Sequence, residues 1–371
     1  MRIILRIFLM PFLLWSLVSQ AEDRIKIGVI LSMTGGTAAF GEVTWTGMRI
    51  GKSIRPNVLG KEVELILVDD KSDKIESANA AQRLIQKEKV IGILGDVASS
   101  NSLAIAPIAE ENHIPQISPA STNPIVTLNR KYVFRACFID PFQGEVMAKF
   151  AYNDLGAKKA AVLMDIGQDY SVGLSNAFVK AFTKLGGKVI SRVNYQSGDQ
   201  DFTAQLTVIK ETNPDVIAIP GYYTEIALIA KQSRELGIKA TLISGDGAEA
   251  PELTEIGGKA VEGLYYTTHF DEKAISTPLG KKYVEIFRNK YDHAPDALGA
   301  LGADAYLIML NAIERAGSTD PEKIRDEIEK TKDFQGVTGV IFIDSNHNAV
   351  KNVVIRQVKG GESVYVSSVN P

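Results

Sequence analysis

Two α/β lobes, each a doubly wound parallel sheet, are what this sequence predicts, and three observations carry that expectation. Short apolar, β-branched runs alternate with longer segments of helical spacing from residue 25 to residue 268, the pattern of parallel strands joined by helices. Polar loops follow the carboxyl ends of those runs, where open parallel sheets bind ligands. The pattern starts afresh after Asp140-Pro141, and a chain of 371 residues usually divides into more than one hydrophobic core.

The stretch 91–122 organises the rest. An apolar run at 90–94 leads into Gly95-Asp96-Val97-Ala98-Ser99-Ser100-Asn101-Ser102, then an amphipathic segment at 103–112. A second strand at 115–118 leads into Pro119-Ala120-Ser121-Thr122-Asn123-Pro124. The serines at 99–102 can cap the following helix, which aims backbone N–H groups and hydroxyls outward as an anion site of carboxylate size. One such serine more often only caps a helix; two such loops on neighbouring strands put a binding site on equal footing.

Taken in order, Arg2 and Arg6, the apolar run 7–17 and Ser19-Gln20-Ala21 read as an export signal cleaved after Ala21. The run is short for a membrane span, and no cysteine follows it to carry a lipid. A soluble periplasmic protein is expected. The mature chain opens with a strand at 25–31, a glycine-rich loop at 32–41 and a helix from Glu42 to about Lys52. That loop lacks the Gly-Lys-Ser/Thr ending of a phosphate loop, so its glycines are expected to let the backbone approach a ligand, with Phe40 as a wall. A strand at 63–68 ends in Asp69-Asp70, which reads as a cap or structural turn. A helix at 75–87 precedes the central stretch, and 132–138 reads as an extended run.

Beyond Asp140, helices at 142–154, 172–185, 202–211 and 224–236 alternate with strands at 160–164, 188–193, 216–219 and 241–244. Gly186-Gly187 marks a helix end. After a strand at 263–268 come helices at 278–290, 296–316 and 321–330, then strand-like segments at 339–343, 353–358 and 363–366. This return to helices suggests that the chain goes back to complete the first lobe, so the lobes meet at a hinge crossed more than once.

Charge and composition narrow the function. A net charge of −3 without a basic block argues against nucleic acid. The single cysteine, Cys137, excludes an intramolecular disulfide and a cysteine-based metal cluster, and reads as a small buried hydrophobe. His113, His269, His293 and His347 are scattered, no nucleophile elbow is present, and an enzyme is not expected. Gly245-x-Gly247-x-x-Ala250 matches a dinucleotide fingerprint weakly, because Asp246 and Glu249 would repel a pyrophosphate. Asp246 could be a solvated turn residue, but it follows a strand at the end where the other candidates converge.

In order and spacing, residues 25–41, Val68-Asp69-Asp70, 95–102, 118–124, 165–170, Pro220-Gly221-Tyr222 and Gly245-Asp246-Gly247 resemble the leucine/isoleucine/valine-type periplasmic binding proteins of branched-chain amino-acid ABC transporters. The resemblance covers essentially the whole mature chain. It implies the type I periplasmic-binding fold, with a three-segment hinge crossing near Asp140, His269 and Ser345. The lobes would be 22–140 with 270–345, and 141–269 with 346–371. By matching position, Ser99 and Thr122, with Ser100 beside them, would hold the carboxylate of an amino acid. The Ala120 carbonyl and Thr122 hydroxyl would accept from its ammonium, and Asp246 would supply the opposite charge. Phe40, Val97, Tyr170 and Tyr222 would wall the side-chain pocket. Phe40 stands where leucine-binding members carry tyrosine, and Asp246 where they carry the longer glutamate. A membrane ABC permease is the implied partner, no cofactor or metal is implied, and the protein is expected to act as a monomer. The rivals are a binding protein for another small carboxylate or amide, and a sensor module that presents its ligand to a membrane receptor.

Overall fold

The structure, a computed structural model, describes residues 24–371; the expected export signal lies outside the described residues. Strand β1 (Ile25–Leu31) is buried along nearly its whole length, as a central parallel strand covered on both faces must be. Helix α1 (Ala38–Ile54) begins earlier than its charge pattern suggested, so Phe40 lies in its first turn rather than in the preceding loop. A short β2 (Asn57–Val58) pairs with β3 (Lys61–Asp69), and α2 (Lys74–Arg83) is capped by the Asp73 side chain. Next come β4 (Ile93–Leu94), α3 (Ser99–Glu111), β5 (Gln116–Ser118) and β6 (Val133–Arg135). The sheet order is β2-β3-β1-β4-β5-β6, parallel except for the β2–β3 pair. Chain direction across the sheet reverses between β1 and β4, so the loops leaving those strands part and open a crevice.

The serines at 99–102 do not cap α3. Its N-cap is Ala98, and the serines form its first turn. Ser102 Oγ instead accepts from the Asp96 N–H and donates to the Asp96 carbonyl, which folds the 96–102 loop onto itself.

The second layer system opens with α4 (Asp140–Lys149). The sequence read Asp140-Pro141 as a break, yet proline suits a first helical turn because its missing N–H would have no partner there. There follow β7 (Lys159–Asp165), α5 (Asp169–Lys184), β8 (Lys188–Tyr195), α6 (Thr203–Thr212), β9 (Val216–Ala218), α7 (Tyr223–Glu235), β10 (Thr241–Ser244), α8 (Glu252–Gly257) and β11 (Tyr265–Thr268). Helices α9 (Pro278–Arg288), α10 (Ala297–Ala316) and α11 (Pro321–Glu329) come next, with the small meander β12 (Phe334–Gln335), β13 (Val340–Ile343) and β14 (Ala349–Val350). Finally β15 (Val353–Lys359) and β16 (Glu362–Val369) join the second sheet, whose order is β16-β15-β11-β10-β9-β7-β8.

The second sheet is therefore mixed, not purely parallel: β15 runs antiparallel to both β11 and β16. The cause is local. Gly360-Gly361, with φ of 64° and 81°, makes a two-residue turn, and a turn that tight joins only antiparallel strands. The chain leaves the first sheet after β6, leaves the second after β11 to lay α10 along α1 and form the separate β12–β14 meander, and returns to the second sheet at β15. α10 is long and apolar enough to cross a membrane, yet it is a core helix here, buried on almost every side and laid along α1.

Glycine permits that helix contact. A Cβ on Gly47 of α1 would stand 1.7 Å from the Gly299 carbonyl oxygen of α10, and neither backbone can yield. Gly47→Ala is expected to cost roughly 3 kcal/mol or more. Gly36→Ala, whose Cβ would meet nothing within 4 Å, is expected to be near neutral. Chemical denaturation of the two variants checks this.

Candidate functional site

The carboxyl ends of both sheets face one cavity, lined by Phe40, Val97, Ser99, Ala120, Tyr170, Tyr222, Asp246, Gly247 and Leu298. Seven of these residues are ones the sequence nominated, and each lies just past a strand end or in the first turn of a helix. Gly247 and Leu298 were missed. Leu298 enters from the start of α10, far along the chain, and an apolar helix residue carries no signal that distinguishes a cavity wall from core.

Ser100 and Thr122 do not line the cavity. Once α3 starts at Ser99, the helical turn of about 100° per residue swings Ser100 away from its neighbour. Ser100 Oγ donates to Asp169 Oδ2 at 2.8 Å and accepts from the Asp169 N–H at 3.0 Å, joining α3 to α5 across the cleft. Thr122 is fully buried, and its carbonyl accepts from the Asp140 N–H at 2.9 Å.

Other bonds bridge the same mouth. Asn123 Nδ2 donates to the Asp169 carbonyl at 2.6 Å, and the Ala39 N–H to the Tyr223 hydroxyl at 3.4 Å. The Phe40 ring meets Tyr222 and Tyr223 edge-on at 5.5 and 5.0 Å, and Tyr170 stacks on Tyr222 at 5.4 Å. These aromatics close the cavity with apolar surface from both sheets. Burial pushes the Tyr170 and Tyr222 phenols well above their ordinary range, so both stay neutral. Among the described residues the Tyr222 hydroxyl has no hydrogen-bond partner.

Asp246 is the charged group of the cavity. It is buried, which removes the alternative of a solvated turn residue. Its Oδ1 accepts from Gln143 Nε2 at 2.8 Å, and its Oδ2 pairs with His269 Nε2 at 2.9 Å. The Tyr170 hydroxyl also lies in hydrogen-bonding reach of this carboxyl; an ionised carboxyl has about four acceptor positions, so about one remains for a ligand. The sequence did not nominate Gln143 or His269. They lie 103 and 23 residues from Asp246, and only the tertiary fold brings them to it.

The remaining suspects have structural partners. Asp69 accepts from the Met33 and Thr34 N–H groups, and buried Asp70 accepts from Ser32, Ser77 and Asn101. The pair ties the loop after β1 to α2 and α3. Cys137 is buried, and burial pushes its thiol up to about 12, far from the thiolate that reactivity requires. Among the described residues, no His, Cys, Asp and Glu cluster could hold a metal ion.

With this geometry, known proteins offer close parallels. The family model for periplasmic binding protein matches residues 24–362. A Leu/Ile/Val-binding protein homolog from Brucella melitensis is 31% identical over 310 residues, 81% of this chain and 82% of the relative. The crystal structure of a leucine binding protein, LivK, from Thermotoga maritima superposes with a TM-score of 0.92 at 58% identity, covering 94% of this chain and 99% of that one. The branched-chain amino acid transporter substrate binding protein LivJ from Streptococcus pneumoniae, in complex with isoleucine, superposes at 0.88 with 29% identity, covering 94% of this chain and 100% of that one.

A second buried carboxyl makes the site region sensitive to pH. Burial pushes Asp140 up to about 8; the Thr122 hydroxyl opposes that rise, Asp246 adds to it, and Arg135 opposes it. The folded state thus keeps a proton that the unfolded chain releases near pH 4, and stability contributed by this group falls as pH rises from about 4 to 8. Asp140→Asn is expected to gain stability relative to the parent protein across that window. Denaturation midpoints at pH 5 and pH 8 measure the difference.

Proposed function

The chain belongs to the periplasmic binding protein family, and from that premise we propose that it captures an aliphatic amino acid between its two sheets and delivers it to a membrane ABC permease. The observation that carries this proposal is the cavity itself. A buried carboxylate with an acceptor position to spare and the first turn of a helix share one small, aromatic-walled space. A zwitterion with an apolar side chain matches all three features.

In this account the ligand carboxylate lies at the start of α3, on the Ser99 hydroxyl and the backbone N–H groups that a first helical turn leaves without intrahelical partners. The ammonium group meets Asp246, with the Ala120 carbonyl as a further acceptor. Phe40, Val97, Tyr170, Tyr222 and Leu298 surround the side chain. Thr122 acts behind this shell by holding the 120–123 loop to Asp140, and Ser100 serves as a clasp between lobes. The lobes would be 22–140 with 270–345, and 141–269 with 346–371. A ligand that touches both favours the closed arrangement, and only that form would dock productively on the permease. The protein would work as an exported monomer without catalytic activity; the buried, neutral tyrosines and inert Cys137 offer no nucleophile.

A thermal-shift panel on refolded mature protein tests the ligand class. An aliphatic amino acid at about 1,000 times its dissociation constant is expected to add roughly 4 kcal/mol. Stabilisation by carboxylates without an amino group, and none by amino acids, would overturn the proposal. Asp246→Ala is expected to cost about 3–5 kcal/mol of binding, because it leaves an ammonium buried without its charge partner. Ser99→Ala is expected to cost only ~1 kcal/mol, since the backbone donors persist. Titration calorimetry on folded variants reads both values.

A further inference from the structure

Asp246 stands on a turn that does little to orient its side chain. The turn spans only Asp246–Ala248, and glycines flank the residue on both sides. Gly245 is closely walled: a Cβ there would meet Leu174 Cδ2 at 2.4 Å, the Tyr170 hydroxyl at 2.5 Å and Gln143 Nε2 at 2.9 Å. The backbone is thereby placed, but the rotation of the carboxyl group must be set by its partners.

His269 is built to set it. It follows β11 directly, its side chain is fully buried, and its ring stacks on Phe138 at 3.8 Å with 24° between planes. That stack fixes the ring plane and with it the direction of Nε2. Burial pushes the imidazole below its ordinary pKa, so one nitrogen carries the proton. A carboxylate can only accept, so the proton sits on Nε2 and the bond runs from His269 to Asp246 Oδ2. Gln143 holds the other oxygen with one amide N–H and gives the second to Thr267 Oγ1 at 3.0 Å.

We propose that His269 is a positioning residue for ligand recognition: by donating to Asp246 Oδ2 it aims the remaining acceptor position of that carboxylate at the ammonium group of the ligand. This rests on the reading of Asp246 as the ammonium partner. His269 touches no ligand atom; it acts through Asp246, and its effect on affinity requires the carboxylate.

The test is a double-mutant cycle on the full mature protein, with L-leucine binding measured by calorimetry. His269→Phe keeps the ring stack and deletes the donor; it is expected to weaken binding by roughly 30-fold, as loss of a hydrogen bond to a charged group does. His269→Gln returns an amide N–H near the Nε2 position and is expected to recover affinity to within about 5-fold of the parent. In an Asp246→Asn background, His269→Phe is expected to add less than about 3-fold. Should the Phe variant not fold, His269→Met removes the same donor with a similar apolar volume. The proposal is overturned if the His269→Phe loss repeats in full on Asp246→Asn, which marks a merely structural residue. It is also overturned if His269→Phe binds like the parent while Asp246→Asn is weakened. Parental affinity in Asp246→Asn would instead remove the underlying reading of the carboxylate.

Discussion

Burying the Asp246 carboxylate between two sheets is the constraint that the rest of the cleft answers. A charge removed from water must be met by donors that cannot drift, because an unmet buried charge is too costly to keep. The donors come from α4 and from the end of β11, elements of the second sheet's own framework. The opposite wall is assembled with similar economy. Arg135, itself fully buried, donates to the carbonyls of Ser121 and Asn123 and to the Thr127 hydroxyl, and so fixes the loop that carries Ala120. Asp70 does the same for the loop after β1 and the start of α3. These two loops are thus each held from behind by one buried ionisable group.

What the sequence disclosed follows from the range of the interactions involved. Local periodicity located the strands and helices, and the rule that loops cluster at strand carboxyl ends found most of the cavity wall: Phe40, Val97, Ser99, Ala120, Tyr170, Tyr222 and Asp246. Helix starts were less legible. α1, α3 and α5 each begin a few residues before their charge or apolar pattern does, because the fold rather than local propensity sets the first turn. That shift turned Ser100 from an expected ligand contact into a clasp on Asp169. His269, Gln143 and Leu298 were hidden for a different reason. Leu298 reaches the cavity from α10, after the chain has left the second sheet, while Gln143 and His269 meet Asp246 within that sheet's framework but from 103 and 23 residues away, and nothing in their immediate neighbours distinguishes them from core. The antiparallel hairpin β15–β16 turns at Gly360-Gly361, between two segments that the sequence marked as strand-like without a pairing direction.

The crossings themselves carry buried polar chemistry. Between β14 and β15, Lys351 is buried and donates to Thr338 Oγ1, which in turn donates to Asp304 in the middle of α10. Burial pushes the Lys351 ammonium down to about 8, and Asp304 counters that shift. A core helix with one acid at its centre is a poor candidate for a membrane and a good anchor for a crossing strand.

Among the described residues the bonds across the mouth of the cleft include Ser100 and Asn123 on Asp169, the longer Lys74–Asp169 ion pair and the weaker Ala39–Tyr223 contact. Water can replace each of them when the sheets part, so each contributes little net free energy to closure. The seam is therefore shallow in energy, and the enclosed aromatic and charged surfaces decide how long it stays shut. For a captured molecule, residence time becomes a property of the whole cleft opening rather than of any single contact breaking. Chemically similar occupants would then differ more in how quickly they leave than in how quickly they arrive.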